Sequence, residues 1–311
     1  MKRNIYAGTY TSSTSEGIYH LQLEEGKLSN AEVFAKVDNP KYIAMQDGIL
    51  ATLATFEQGA GVATYDLSGN QLDRIAFEER TSCHIAMDED RIFTANYHTG
   101  VVSVLENRKG KLKLIRSVEI QNGAGCHQII VWKDCILVPC LFLDRVMIFD
   151  RDLNRKGSIR FNTGTGPRHG LITKDGEYFY LTSELSNELY VIHTGDWEIL
   201  SCTPVLPNEE THVRSTAAIR LSEDEKYVYI STRGKDVISV LEMKDHRPEL
   251  IQCFSTLGKH PRDFMLCDGY LLCANRYSNE VISFEINEDG SVGRPVSRIS
   301  VPEAVSLITK S

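Results

Sequence analysis

Arg168 and Glu184 flank a stretch that reads as a β-hairpin. Apolar residues run up to a Lys174-Asp175-Gly176 turn, and an alternating Tyr178-Phe179-Tyr180-Leu181 strand returns from it. Antiparallel strands set the start of one beside the end of the other, so the guanidinium and the carboxylate share one end of the hairpin. Arginine offers planar, two-pronged recognition of carboxylate or phosphate. A carboxylate among arginines stays ionised and can take a proton. Together they suit the chemistry of an anionic substrate.

The hairpin recurs along the whole chain. Aligned on its first position, the copies give Lys41, His84, His127, Arg168, Ala217, Arg262 and Glu303, at successive spacings of 43, 43, 41, 49, 45 and 41 residues. A β-rich period of about 40–45 residues is that of propeller blades. Turn signals follow in most copies, at Asp47-Gly48, Glu89-Asp90, Lys133-Asp134, Asp175-Gly176, Glu223-Asp224 and Asp268-Gly269. The position that closes the returning strand gives Phe56, Tyr97, Leu141, Glu184, Arg233 and Arg276, with Tyr10 from the first copy. The strand that should precede Tyr10's own is missing from the N-terminal stretch. Residues 301–307 resemble residues 39–45, so the C-terminal stretch is expected to supply that strand and close the ring. Closure removes exposed sheet edges. The expected fold is all-β, a single seven-bladed β-propeller over residues 1–311, because each blade buries its faces only against its neighbours.

Inner strands of a propeller line one channel, so both sets of residues should ring the same mouth. Four arginines, Arg168, Arg233, Arg262 and Arg276, then converge in a chain whose net charge is −8. Arg168 and Arg233 read as functional, because Glu184 alone cannot balance both. Arg262 and Arg276 divide between ligand contact and blade-to-blade ion pairs with Glu303 or Glu280. His127, between Cys126 and Gln128 at the start of a blade facing the arginines, reads as functional too. Glu184 is either a base or an ion pair that only positions Arg168. His84 reads better as a hydrogen-bonded histidine beneath a loop, yet its position keeps it in the substrate-facing set with Tyr10, Asn96, Tyr97, His169 and Asn275. Cys126 and Cys140 lack an activating arrangement and read as packing.

The sequence also argues against other chemistries. It has no His-x-His or HExxH spacing, and guanidiniums would oppose a divalent ion, so neither metal nor cofactor is expected. A serine nucleophile would lack its G-x-S-x-G elbow. The eight cysteines show no CxxC pair and read as buried free thiols of a reducing cytoplasm. Excess negative charge speaks against nucleic acid or an anionic membrane as partner. Met1-Lys2-Arg3-Asn4 passes straight into a strand, with no apolar stretch that could serve as signal peptide or membrane span. A cytoplasmic monomer or weak homodimer acting on an anionic small molecule is expected.

Several motifs carry a resemblance. Tyr6-Ala7-Gly8-Thr9-Tyr10-Thr11-Ser12, Cys83-His84 with Ala95-Asn96-Tyr97, Gly166-Pro167-Arg168-His169 with Glu184-Leu185, Thr232-Arg233-Gly234, and Lys259-His260-Pro261-Arg262-Asp263-Phe264 with Ala274-Asn275-Arg276 span essentially the whole chain. The sequence so resembles the seven-bladed lactonase family, which includes propeller-type 6-phosphogluconolactonase and fungal 3-carboxy-cis,cis-muconate cyclase. The resemblance implies a catalytic set of His127, Arg168, Arg233 and Glu184. It implies hydrolysis of an anionic sugar lactone, 6-phosphogluconolactone first. The alternatives are a cycloisomerase that closes a carboxylated muconate into a lactone, and a non-catalytic binder of an anionic metabolite. The chain departs from the family at Gly125 and Cys140, where many members carry His and Asp, and in its shorter loops.

Overall fold

A computed structural model describes residues 2–207 and 213–310. Seven four-stranded antiparallel sheets account for the strands of these residues. They are blades: blade 2 spans residues 43–78, blade 3 84–119, blade 4 130–160, blade 5 167–204, blade 6 216–255 and blade 7 261–300. Blade 1 combines Lys2–Thr9, Gly17–Glu24 and Lys27–Lys36 with Ala304–Thr309. The first strand of each blade touches the first strand of the next, and blade 7 returns to blade 1 through Ala304–Thr309. No helix among the described residues is long and apolar enough to cross a membrane.

The sequence pattern follows from this arrangement. A middle strand has both faces covered, so Tyr227–Thr232 is buried at every residue but its first. An outer strand meets solvent, so Lys111–Glu119 has no fully buried residue. The core lies between blades rather than within them. Seven clusters of buried apolar side chains occupy the seven blade-to-blade seams, such as Ile5, Ala7 and Leu21 of blade 1 against Leu272, Ala274 and Val281 of blade 7.

One hydrogen bond recurs where the channel opens. The residue after the second strand donates its N–H to a carbonyl just ahead of the inner strand. The pairs are Tyr10 to Glu303, Leu141 to Gly125, Glu184 to Gly166, Arg233 to Ser215 and Arg276 to His260. Four of those five acceptors have left-handed backbones: Gly125, Gly166, His260 and Glu303. Glycine takes that conformation freely. At Gly166 a Cβ would also stand 2.5 Å from the Leu185 side chain. Two residues further on, the ladder slips. Arg168 is skipped between the Pro167–Ser183 and His169–Thr182 pairs, and Arg262 between Pro261–Asn275 and Asp263–Ala274. Such bulges re-aim a side chain. In blade 1 the skipped residue is Val305. The sequence alignment of Glu303 with Arg168 is therefore two residues out, since Glu303 corresponds to Gly166.

Residues 301–310 carry the closure. Ile5 pairs with Thr309 and Ala7 with Leu307, while the Leu307 N–H donates to Asp263 of blade 7 at 3.0 Å. Val301, Ala304, Val305 and Leu307 are each at most 3% exposed. Burial of one such Val or Leu side chain stabilises by about 1.5–3 kcal/mol. Deleting residues from 301 onward is expected to lower the melting temperature by about 10 °C or more, read by circular dichroism; a truncated chain that melts with the full one would refute closure through this strand.

Candidate active site

At the mouth defined by these hydrogen bonds lies a cavity of about 240 Å³ lined by Tyr10, Lys41, Cys83, Tyr97, His98, His127, Glu184, Arg233 and Arg262. Six of the twelve site residues expected from the sequence meet here: Tyr10, Tyr97, His127, Glu184, Arg233 and Arg262. The other six stand behind the cavity or at its rim.

Glu184 ties two blades together. Its Oε2 accepts a 2.6 Å hydrogen bond from Nε of Arg168, and its Oε1 lies 2.9 Å from Nη2 of Arg233. The second contact is an ion pair that is not aligned as a hydrogen bond. Arg168 is 1% exposed, does not line the cavity, and gives Nη1 to the Ala217 carbonyl at 2.6 Å. Arg233 gives Nε to the Ser215 carbonyl at 3.0 Å, which leaves the rest of its guanidinium toward Glu184 and the cavity. Burial, helped by Arg233 and opposed by Glu184, pulls Arg168 down to about 10, so it stays a cation at neutral pH. Burial works to raise Glu184, but the two guanidiniums outweigh it and hold the carboxyl below the usual range. Glu184 is ionised.

The histidines are neutral. Burial, reinforced by Arg168, Arg262 and Arg233, holds His127 well below the usual imidazole value. Burial and Arg168 do the same to His169. Nδ1 of His127 and Nε2 of His169 are 3.1 Å apart, and Nδ1 of His169 has no partner among the described residues. A buried orphan N–H is rarer than an unused lone pair. The hydrogen-bond network thus assigns Nε2–H of His169 as donor to Nδ1 of His127. His127 then carries its proton on Nε2 and is a hydrogen-bond donor on the cavity wall. His84 lies deeper, its Nδ1 accepting from the Ile129 N–H at 3.3 Å and its ring 4.2 Å from that of Tyr42. Burial and Arg220 pull it down to about 3. It is the hydrogen-bonded buried histidine that the sequence favoured.

Asn96 and Asn275 are fully buried scaffolding residues. Asn96 donates to the Glu78 carboxylate and to the Arg80 carbonyl, and its Oδ1 accepts from the N–H groups of His98 and Thr99, both at 3.1 Å. It shapes the turn that presents Tyr97 and His98. Asn275 donates to the Thr256 carbonyl at 3.1 Å.

Opposite Glu184, cations gather around one ring. Cζ of Arg276 is 4.0 Å and Cζ of Arg262 5.5 Å from the Tyr10 centroid, and Nζ of Lys41 is 6.0 Å away. Arg276 lies 3.6 Å from Glu303, the blade-to-blade pair the sequence offered, whereas Glu280 pairs with Arg298. Lys41, Cys83 and His98 also line the cavity and were not among the expected site residues. Lys41 occupied the aligned first position in the sequence, which was the available signal. Cys83 donates to the Cys126 carbonyl at 3.2 Å, and burial pushes its thiol up to about 11, so it is no nucleophile. Among the described residues no group of three or more His, Cys, Asp or Glu side chains could hold a metal ion.

The cavity thus offers one ionised carboxylate, two imidazoles, those of His98 and His127, and three lining cations. Residues 4–309 match the family model described as lactonase, 7-bladed beta-propeller. A protein of Bacillus subtilis called 6-phosphogluconolactonase is 30% identical, over 97% of this chain and 97% of its own length. The crystal structure of a protein from Lactobacillus plantarum superposes with a TM-score of 0.95 at 27% identity, over the full length of both chains. A periplasmic gluconolactonase of Pseudomonas aeruginosa shares the fold, with a TM-score of 0.89 at 22% identity over 100% of this chain and 99% of its own. The chain belongs to the seven-bladed β-propeller lactonase family.

Proposed function

We propose that this protein hydrolyses anionic sugar lactones at the channel mouth, with 6-phosphogluconolactone as substrate, and needs no metal. The reading is carried by one observation: a single ionised carboxylate, Glu184, shares a cavity with His127, Lys41, Arg233 and Arg262 in a chain of the lactonase family. The name of the Bacillus subtilis relative supports the choice of substrate.

Water adds to the lactone carbonyl carbon, and the carbonyl oxygen gains negative charge. Arg233 and Nε2–H of His127 are the donors that stabilise it. Glu184 takes the proton of the attacking water and lies at hand to return it to the ring oxygen as the C–O bond breaks. The acid so formed ionises. With its pKa lowered, Glu184 is a weak base, so stabilisation of the oxyanion carries most of the rate. Arg168 is a positioning residue, since it touches Glu184 and not the cavity.

Freshly prepared 6-phosphogluconolactone should hydrolyse well above its spontaneous rate. Arg233→Ala and His127→Ala should each lower kcat about 10²-fold, as loss of one oxyanion donor does, with a smaller change in KM. Glu184→Gln should lower kcat too, and it strands a buried guanidinium, so stability falls with it. A wild type that does not open this lactone but closes a carboxylated muconate would replace hydrolysis with cycloisomerisation. Activity should survive exhaustive chelation; loss on EDTA and recovery with a divalent cation would refute the metal-free reading.

The neutral imidazoles give a second test. His84, His127 and His169 are buried with lowered pKa, so the unfolded chain binds more protons than the folded one below about pH 6.5. Their contribution to stability is complete above that pH and is lost as pH falls toward the folded values. On the order of 1 kcal/mol per pH unit should be lost for each. Chemical denaturation between pH 7 and 5 should show the fall, and ¹⁵N NMR should show these three rings neutral throughout. An imidazolium at His127 at pH 6 would contradict the assigned role.

A further inference from the structure

The catalytic pole accounts for only one side of the mouth. His127 stands at the start of blade 4, Glu184 at the end of a blade 5 strand and Arg233 at the end of a blade 6 strand. Tyr10 belongs to blade 1, Lys41 precedes blade 2 and Arg262 lies in blade 7. In a ring of seven, blade 1 faces the seam between blades 4 and 5. The Tyr10 group thus confronts His127 and Glu184 across the channel.

The two sides differ in charge balance. Arg168 and Arg233 share Glu184, and Arg276 has Glu303. Lys41 and Arg262 have no carboxylate within 4.0 Å among the described residues. Glu78, the carboxylate that acts on Lys41 from further off, is occupied by Ser82 at 2.8 Å and by Asn96. Lys41 is only 9% exposed, and its one hydrogen bond among the described residues is to the Thr81 carbonyl at 3.1 Å. A buried ammonium with no counter-ion is costly. Lys41 and the half-buried Arg262, both without a carboxylate partner on one cavity wall, match the two charges of a phosphate monoester, and both lie within 6.0 Å of the Tyr10 ring centroid.

We propose that Lys41 and Arg262, gathered at the Tyr10 ring, form a phosphate-binding subsite that anchors the far end of the substrate while its lactone carbonyl meets Arg233 and His127. The subsite selects lactones that carry a phosphate remote from the carbonyl. It deepens the lactonase reading for its consequence on turnover, but its binding stands without that reading. Burial pulls Lys41 below its ordinary value, and a bound phosphate would reverse that by supplying the missing charge.

The test uses the full chain and three probes: inorganic phosphate, 6-phosphogluconate and gluconate. Phosphate should bind the wild type and compete with the lactone. Lys41→Met and Arg262→Met should each weaken 6-phosphogluconate binding about tenfold or more, since a charge-assisted hydrogen bond of about 1.5–3 kcal/mol is lost. Gluconate affinity should change by far less. For turnover, KM for the phosphorylated lactone should rise with kcat retained, so its preference over the unphosphorylated lactone falls about tenfold. Lack of phosphate competition in the wild type overturns the proposal without any variant. So does an equal loss of affinity for gluconate and 6-phosphogluconate. Lys41-dependent binding of 6-phosphogluconate by a wild type that opens no lactone would keep the subsite and overturn the lactonase reading instead.

Discussion

A guanidinium with 1% of its surface exposed must be neutralised where it stands, and Glu184 neutralises Arg168. A buried charge left without its partner costs several kcal/mol. The pair therefore fixes the carboxylate as firmly as packing fixes the core. Arg168 in turn hydrogen-bonds the Ala217 carbonyl, and Glu184 reaches Arg233, so one ion-pair network staples blade 5 to blade 6 at the mouth. The carboxylate that faces the cavity cannot swing away without breaking that network. Preorganisation of this kind is what an oxyanion-stabilising site requires.

The network exists because the backbone misaligns where it must. A left-handed residue opens the inner strand, the residue after the second strand of the same blade donates to its carbonyl, and a bulge turns Arg168 or Arg262 out of the ladder. The same device in blade 1 skips Val305, which is apolar and packs. Similar blades thus present different side chains, from arginine to valine, at equivalent places. His127, Glu184 and Arg233 come from blades 4 to 6 and Lys41, Tyr10 and Arg262 from blades 2, 1 and 7, so the two proposed groups occupy different arcs that meet where blade 6 adjoins blade 7.

Much of this was legible in the sequence, and the failures have physical causes. The period, the turns and the closing strand were readable because each blade buries its faces in the same way, so the same apolar pattern recurs. Of the residues at the two aligned positions, Tyr10, Lys41, Tyr97, His127, Glu184, Arg233 and Arg262 line one cavity, and the other seven do not. Depth was not readable. A polar residue at the mouth end of a strand can face the cavity, as Arg233 does, or satisfy a turn beneath it, as Asn96 and Asn275 do, and the letters are the same. Glu303 was aligned two residues out because a bulge adds a residue without changing the pattern on either side. Lys41 stands at the right position, but in sequence a lysine at a strand start is indistinguishable from a solvated surface charge. Only the missing counter-ion, a fact of three dimensions, singles it out.

The most direct measurement is a crystal structure of the full chain with 6-phosphogluconate bound. The two-pole account predicts the phosphate between Lys41 and Arg262 beside Tyr10, and the product carboxylate within hydrogen-bond reach of Arg233 and Nε2 of His127. A ligand bound in the reverse sense, with its phosphate on Arg233 and its carboxylate at Tyr10, or one seated away from this mouth, would contradict it.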